Sequence, residues 1–358
     1  LTDRELPTVT VAIPARNETP KLTSCLESVI ASDYPKLEIL VLDDNSQDKT
    51  AELIQSFARQ GVRFVKGELF RGTWLAKNRA YQTLLQQASG DIIFYMGVDV
   101  RLHPNSIRRL VEQFVSRKTE MMTILPKRTK SGLIAAFIQP MRYWWELAIP
   151  RFINRRPPAL STSWMINRTS INEINGFNSY KRSIIPEEHL AKHFSHLKSY
   201  SFIRTTKDSL ITTHKDFSSQ WDTQVRTKYP HAHRRPENVM IQSFVLSFVV
   251  LLPFILLPFI IFGYELYWFY ESALLTAVLS YLISHIAISV ITNPIAGFLA
   301  PFNFPVAIIL DIIAVNVSMF RYEFGKVIWK GRDVAPKKLE VIPHLPDIEI
   351  SPDLGKTH

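Results

Sequence analysis

The chain has 358 residues, 46% hydrophobic and 21% charged, too long for one ordinary core and too apolar for a disordered polymer. Its net charge of +10 raises nucleic acid as a partner. Two of its basic clusters, at 226–235 and 321–332, instead border an almost uncharged region, where cations meet anionic headgroups and the cytoplasm, so no nucleic-acid partner is read from them.

The first predicted strand is Thr8 to Pro14, a β-branched, apolar run that ends at a proline. An amphipathic helix follows, with Cys25 in its apolar pattern beside Leu22, Leu26 and Val29. As the single cysteine, Cys25 excludes an intramolecular disulfide, and its setting makes it a packing residue. Leu37 to Leu42 reads as a second strand, and Asp44, Ser46 and Asp48 supply turn and cap chemistry for a helix over 51–59. Val62 to Val65 is a third strand, 75–88 a helix broken by Gly90, and Asp91 to Met96 a fourth strand. Strands alternating with helices imply βαβ units and a mainly parallel sheet. The sequence opens on Leu1 rather than Met, so a preceding segment is expected.

Ligands bind such sheets at the carboxyl ends of the strands. The runs there are Pro14-Ala-Arg-Asn-Glu18, Asp43-Asp-Asn-Ser-Gln-Asp-Lys-Thr50 and Gly97-Val-Asp-Val100. No G-x-G-x-x-G follows strand one, which argues against a dinucleotide-binding dehydrogenase.

These residues, in this order, resemble family 2 glycosyltransferases of the GT-A fold. Ile13-Pro-Ala-Arg-Asn-Glu18 is similar to the opening I-P-x-x-N-E, and Val41-Leu-Asp-Asp-Asn-Ser-Gln-Asp-Lys-Thr50 to V-x-D-D-x-S-x-D-x-T. Gly72-Thr-Trp-Leu-Ala-Lys-Asn-Arg-Ala80 resembles the version seen in carotenoid- and hopanoid-type lipid glycosyltransferases. Tyr95-Met-Gly-Val-Asp-Val100 takes the place of the D-x-D element, Glu187-Glu188 with Leu190 resembles E-D-x-x-L, and Arg226 falls where the Q-x-x-R-W arginine is expected, with Thr227 in place of its Trp. Trp329-Lys-Gly-Arg332 resembles an ending shared by lipid glycosyltransferases, ceramide glucosyltransferases among them.

The resemblance implies a nucleotide-diphospho-sugar transferase, Rossmann-like in its sheet, over residues 1–235. Asp43 and Asp44 are expected at the uracil or ribose of a UDP-sugar, with Pro14, Arg16, Asn17 and Glu18 lining the same crevice and Arg16 reaching a phosphate. Local turn and cap chemistry competes for the same aspartates. Trp74 and Lys77 are placed near the diphosphate. Departure of a nucleoside diphosphate develops negative charge that Mg²⁺ or Mn²⁺ offsets. The family usually holds that ion with two carboxylates, and here Gly97 stands at the first position. Asp99, next to Gly97 and Val98, would therefore hold it with water and His214. Transfer to a hydroxyl needs a general base. Of Glu187 and Glu188 the second is the expected base, with inversion by direct displacement implied; Arg226 would lie over the diphosphate or the acceptor. The competing reading of the two glutamates is a helix N-terminus that favours acids.

Residues 236–332 read as a membrane part and 333–358 as a polar tail. Stretches 239–262, 272–292 and 304–320 are apolar, and about 20 residues cross a bilayer. Tyr264, Tyr267, Trp268 and Tyr270 resemble an interfacial belt. With a cytoplasmic catalytic domain, three crossings would leave 321–332 outside, against the positive-inside tendency. Two full crossings and one re-entrant or interfacial segment are expected, with His285 and Asp311 facing protein. The aromatic stretch 133–152 suits a helix in the interface that guides a lipid acceptor. The leading function is sugar transfer to a membrane lipid hydroxyl. A processive polysaccharide synthase of the same fold and a non-catalytic nucleotide-sugar or lipid binder are the alternatives.

Overall fold

The structure is a computed structural model that describes residues 2–68, 74–128, 157–206, 210–215, 217–263, 267–292 and 294–333. Gly72 of the tryptophan–lysine motif, the stretch 133–152, Tyr264 and the tail from 334 lie outside the described residues.

Strand β1 (Val9–Ala15) is almost wholly buried, as a strand covered on both faces must be. It pairs in parallel with β2 (Leu37–Asp43) on one side and β4 (Ile92–Met96) on the other, and β3 (Val62–Lys66) extends the sheet beyond β2. Helix α1 (Thr19–Ile30) connects β1 to β2, begins with proline in its first turn, and buries Leu22, Cys25, Leu26 and Val29. Burial pushes the Cys25 thiol up to about 12, in keeping with a packing residue. Helices α2 (Thr50–Ser56) and α3 (Ala76–Gln87) make the next two connections.

Beyond the four strands read from the sequence, β6 (Met121–Leu125), β8 (Ser163–Asn167) and β9 (Tyr200–Arg204) complete a seven-stranded sheet in the order β3-β2-β1-β4-β8-β6-β9. Only β8 runs antiparallel to its neighbours, wedged between β4 and β6. A three-stranded sheet of β5 (Val100–Leu102), β10 (Ile211–Thr213) and β7 (Lys127–Arg128) stands at one end. Helix α4 (Ser106–Ser116) lies between β5 and β6, α5 (Arg168–Glu173) follows β8, and α6 (Pro186–His196) precedes β9. One face of the main sheet packs an aromatic cluster in which Tyr95 stacks on Trp164 at 4.4 Å, with Tyr81 and Phe177 against them.

Helix α7 (Phe217–His231) leads into the apolar region. Three helices there are long and apolar enough to cross a membrane: α8 (Pro236–Ile261), α9 (Trp268–Thr292) and α10 (Pro294–Glu323). Tyr267, just before α9, and Trp268 and Tyr270 in its first turn are exposed. Helix α10 is the most enclosed, 44% buried over its apolar window against 11% for α8, because it packs on α7.

The α7–α10 joint has a local cause. Pro230 sits inside α7 and has no N–H for the carbonyl of Arg226. The Tyr322 hydroxyl donates to that carbonyl at 2.7 Å. One residue earlier, the Ser318 hydroxyl donates to the carbonyl of Val225 at 2.5 Å and accepts from the Tyr229 N–H at 3.0 Å. Buried backbone groups must find partners, and α10 supplies them where α7 cannot. The buried pair Lys228–Asp311 and the bond from Tyr229 to Glu323 fasten the same joint. His285 is likewise enclosed, its Nε2 2.9 Å from Asn303 Oδ1.

After α10, β11 (Ile328–Trp329) and β12 (Arg332–Asp333) form an antiparallel hairpin. Lys330 and Gly331 make its two-residue turn with φ of 49° and 78°, the left-handed pair that suits a tight hairpin.

Candidate active site

The carboxyl ends of β1, β2 and β4 open onto a cavity of about 1090 Å³. Pro14, Glu18, Asp44, Trp74, Lys77, Gly97, Val98, Asp99, Glu187, Glu188 and Arg226 line it, so motifs spread over more than 200 positions converge there. Arg16, Asn17, Asp43 and His214 stand behind that wall.

At the β1–β2 end the loops lock together. Asn17 takes φ +51°; its N–H bonds to Ser46 Oγ and its Oδ1 accepts from the Gln47 N–H at 2.8 Å. Asp43 accepts from the Ser46 N–H at 3.3 Å, and its carbonyl accepts from the Gly67 N–H at 2.8 Å. A Cβ at Gly67 would lie 2.6 Å from that carbonyl oxygen, which is why glycine ends β3. Burial of Asp48, which raises its carboxyl, is outweighed by bonds from Thr50 and Thr19, leaving it at about 2. Asp48 is thus the capping member of the run, whereas Asp44 faces the cavity. Arg16 is engaged by backbone: it donates to the carbonyls of Asp44, Asn45 and Lys330.

The bond to Lys330 belongs to an unexpected wall. The β11–β12 hairpin folds back onto the strand ends. Arg332 donates to Asp44 Oδ2 at 2.7 Å, and Lys330 Nζ lies 3.1 Å from both Glu18 Oε1 and the Asn17 carbonyl. Burial raises the Asp44 carboxyl above its ordinary value, against the lowering effect of Arg332 and Arg16.

At the end of β4, the absence of a side chain at Gly97 leaves room for Asp99: a Cβ there would sit 2.6 Å from Asp99 Oδ1. The Asp99 Oδ2 atom is buried and 3.5 Å from Lys215 Nζ. The His214 N–H donates to the Asp99 carbonyl at 3.1 Å, so the two candidate metal ligands are cross-strand neighbours. Among the described residues no group of three or more His, Cys, Asp or Glu gathers for a metal. The Asp99 carboxylate faces the cavity and is of the oxygen-donor type that a divalent cation takes, while His214 is tied to Asp99 through the backbone.

Across the cavity, α6 starts at Pro186, so Glu187 and Glu188 do occupy a helix first turn that favours acids. The buried Glu187 pairs with Lys77, whose ammonium is 5.3 Å from the Tyr81 ring centroid. Glu188 Oε2 lies 3.4 Å from His231 Nε2 on α7. The same cavity reaches Asn238, Ile241, Gln242 and Val245 on α8.

Sequence reasoning did not place Lys215, His231, Lys330 or Arg332 here. The Trp-Lys-Gly-Arg ending was visible in the sequence, but not its pairing with a residue nearly 300 positions upstream. His231 carried no signal of its own.

Residues 10–175 match the family model described as Glycosyl transferase family 2, and this part of the chain is a family 2 glycosyltransferase domain of the GT-A fold. The chain is 28% identical over 120 residues to 4,4'-diaponeurosporenoate glycosyltransferase of Staphylococcus haemolyticus, covering 33% of this chain and 32% of the relative. It is 29% identical over 129 residues to poly-beta-1,6-N-acetyl-D-glucosamine synthase of Staphylococcus epidermidis, covering 36% and 30%. The chain spans about a third of the length of the curated relatives it matches. A mannosyltransferase structure from Pyrobaculum calidifontis, in complex with GDP-Man and Mn²⁺, aligns with a TM-score of 0.55 over 90% of this chain and 89% of that one, at 16% identity, a likeness of fold.

Proposed function

Proceeding from that domain, we propose that the chain moves a sugar from a nucleotide donor, a UDP-sugar, to a hydroxyl of a membrane lipid, with inversion. The observation that carries this reading is the continuous cavity wall, which runs from Asp44 at a strand end past Asp99 and Glu188 to Ile241 and Val245 on α8. A lipid lying along α8 can present its hydroxyl to the strand ends without leaving the bilayer.

In this reading Asp43 and Asp44, with Pro14, Asn17 and Glu18, hold the nucleoside, and Arg16 fixes the loop that carries them. Lys77, Trp74 and Arg226 flank the diphosphate. Asp99, with His214 beside it, would hold Mg²⁺ or Mn²⁺, and Gly97 and Val98 line the cavity where the phosphates lie. When bound, the cation offsets the charge that develops on the leaving diphosphate. Glu188 takes the acceptor proton, and Glu187 positions Lys77. The catalytic part covers residues 1–235, the membrane part 236–332 and the tail 333–358, with the β11–β12 hairpin returned to the catalytic part. Helices α8 and α9 cross the bilayer and α10 lies against α7, because the start of α8 and the hairpin after α10 both meet the catalytic domain. The catalytic domain and basic residues 321–332 are cytoplasmic.

Glu188→Gln and Asp99→Asn test the assignment one at a time. Loss of a general base lowers turnover by roughly 10²–10⁴-fold, while UDP still binds the Glu188 variant. Turnover that survives both replacements would mean the chain does not work this way. The synthase relative supports a polymer acceptor as the second reading.

A further inference from the structure

We infer that His231 is the positioning and proton-accepting partner of Glu188, an inference that rests on the reading of Glu188 as base. His231 Nδ1 lies 2.5 Å from the Thr227 carbonyl, one turn back on α7. A carbonyl only accepts, so Nδ1 carries a proton and the ring tautomer is fixed. Nε2 then faces Glu188 Oε2 at 3.4 Å with either a lone pair or a second proton. In the neutral ring the Nε2 lone pair faces the carboxylate, so a proton delivered to Glu188 is shared between the two atoms. Both side chains line the cavity. Glu188 is mostly enclosed, with a side-chain exposure of 17%, whereas His231 at 39% reaches solvent.

This arrangement divides the work. As the acceptor oxygen bonds to the sugar carbon, the bond from that carbon to the phosphate oxygen breaks, and its electron pair leaves with the nucleoside diphosphate. The acceptor proton passes to Glu188. Neutral His231 takes it at Nε2 and releases it to water, which returns Glu188 to the carboxylate for the next turnover. Among the described residues, other titratable groups lining this part of the cavity are Glu187 and Lys77, paired with each other, Lys228, paired with Asp311, Asp222 and Arg226 on α7, and His233 just after it.

The test uses the full chain in detergent micelles with a membrane lipid extract as acceptor and UDP-glucose, UDP-GlcNAc and GDP-mannose as donors, following lipid-dependent nucleoside diphosphate release against pH. Folding of each variant is checked by thermal melting. In His231→Gln the plateau rate falls on the order of tenfold, below the loss in Glu188→Gln. Its acid limb moves to lower pH, since the shared proton is gone. A merely structural histidine would change KM or stability and leave the limb where it was, and that result overturns the inference. Labelled-histidine NMR supplies a readout without turnover. The His231 resonance titrates at lower pH in Glu188→Gln than in wild type, and an unchanged titration also refutes the pair. If Glu188→Gln keeps wild-type turnover, the reading of the base itself fails, a different outcome from an unmoved limb in His231→Gln.

Discussion

Replacing Ser318 by alanine tests how the membrane part holds the catalytic part. The Ser318 hydroxyl is the partner of two buried backbone groups, the Val225 carbonyl and the Tyr229 N–H. Alanine removes both bonds, and loss of a hydrogen bond to a buried group costs roughly 1–3 kcal/mol, so the loss is at least about 1 kcal/mol. Pro230 acts one residue on: it has no N–H for the Arg226 carbonyl, which takes the Tyr322 hydroxyl of α10 instead. In a Pro230→Ala background residue 230 can donate to the Arg226 carbonyl itself, and Tyr322→Phe, which costs about 1–3 kcal/mol in wild type, should then cost less than about 1 kcal/mol. The assay is thermal and denaturant unfolding of the detergent-purified chain, followed by tryptophan fluorescence, in Ser318→Ala and in all four members of the Pro230–Tyr322 cycle. A Ser318→Ala loss below about 0.5 kcal/mol, or an equal Tyr322→Phe loss with and without Pro230, would refute the claim that α10 repairs α7. Because α7 carries Arg226 and His231, turnover should fall alongside stability.

Other outcomes follow from the same geometry. Arg332→Ala removes the cation beside Asp44, whose carboxyl burial already raises; that carboxyl then rises further, and UDP binding weakens as pH falls from neutral into the mildly acidic range, where wild type is less affected. Isothermal titration at several pH values checks this, and a wild-type pH profile in the variant would contradict it. Topology is read by cysteine labelling in intact cells, since Cys25, buried and with its thiol pushed up to about 12, stays silent. An impermeant maleimide should modify Tyr267→Cys, in the exposed turn before α9, and spare Phe324→Cys, also exposed, on the hairpin side. Labelling of Phe324→Cys from outside would exclude two crossings.

The parts of the site legible in the sequence are those fixed locally. Apolar runs at Val9–Ala15, Leu37–Asp43 and Ile92–Met96 identify buried strands, and the polar residues just after them must lie at the sheet's carboxyl edge. What was missed depends on long-range pairing. Strand β8 inserts between β4 and β6 from 67 positions beyond Met96, counted to Ser163, and no local pattern announces that register. Helix α10 was expected only over 304–320; it begins at Pro294, where a missing N–H costs a helix nothing, and runs on through Pro301 and Pro305, which read as breakers in the sequence. Arg16 was expected at a phosphate, and its guanidinium instead meets three carbonyls whose convergence only the folded loops and the C-terminal hairpin create. His231 became visible once α7 and α6 were set side by side.

The most direct measurement is transfer from radiolabelled UDP- and GDP-sugars into a membrane lipid extract, with Mg²⁺, with Mn²⁺, and with chelator. The account predicts a metal-dependent product that partitions into organic solvent and disappears in Glu188→Gln. Label that stays in water as polymer or free sugar, or an organic product made equally well by Glu188→Gln, would contradict it.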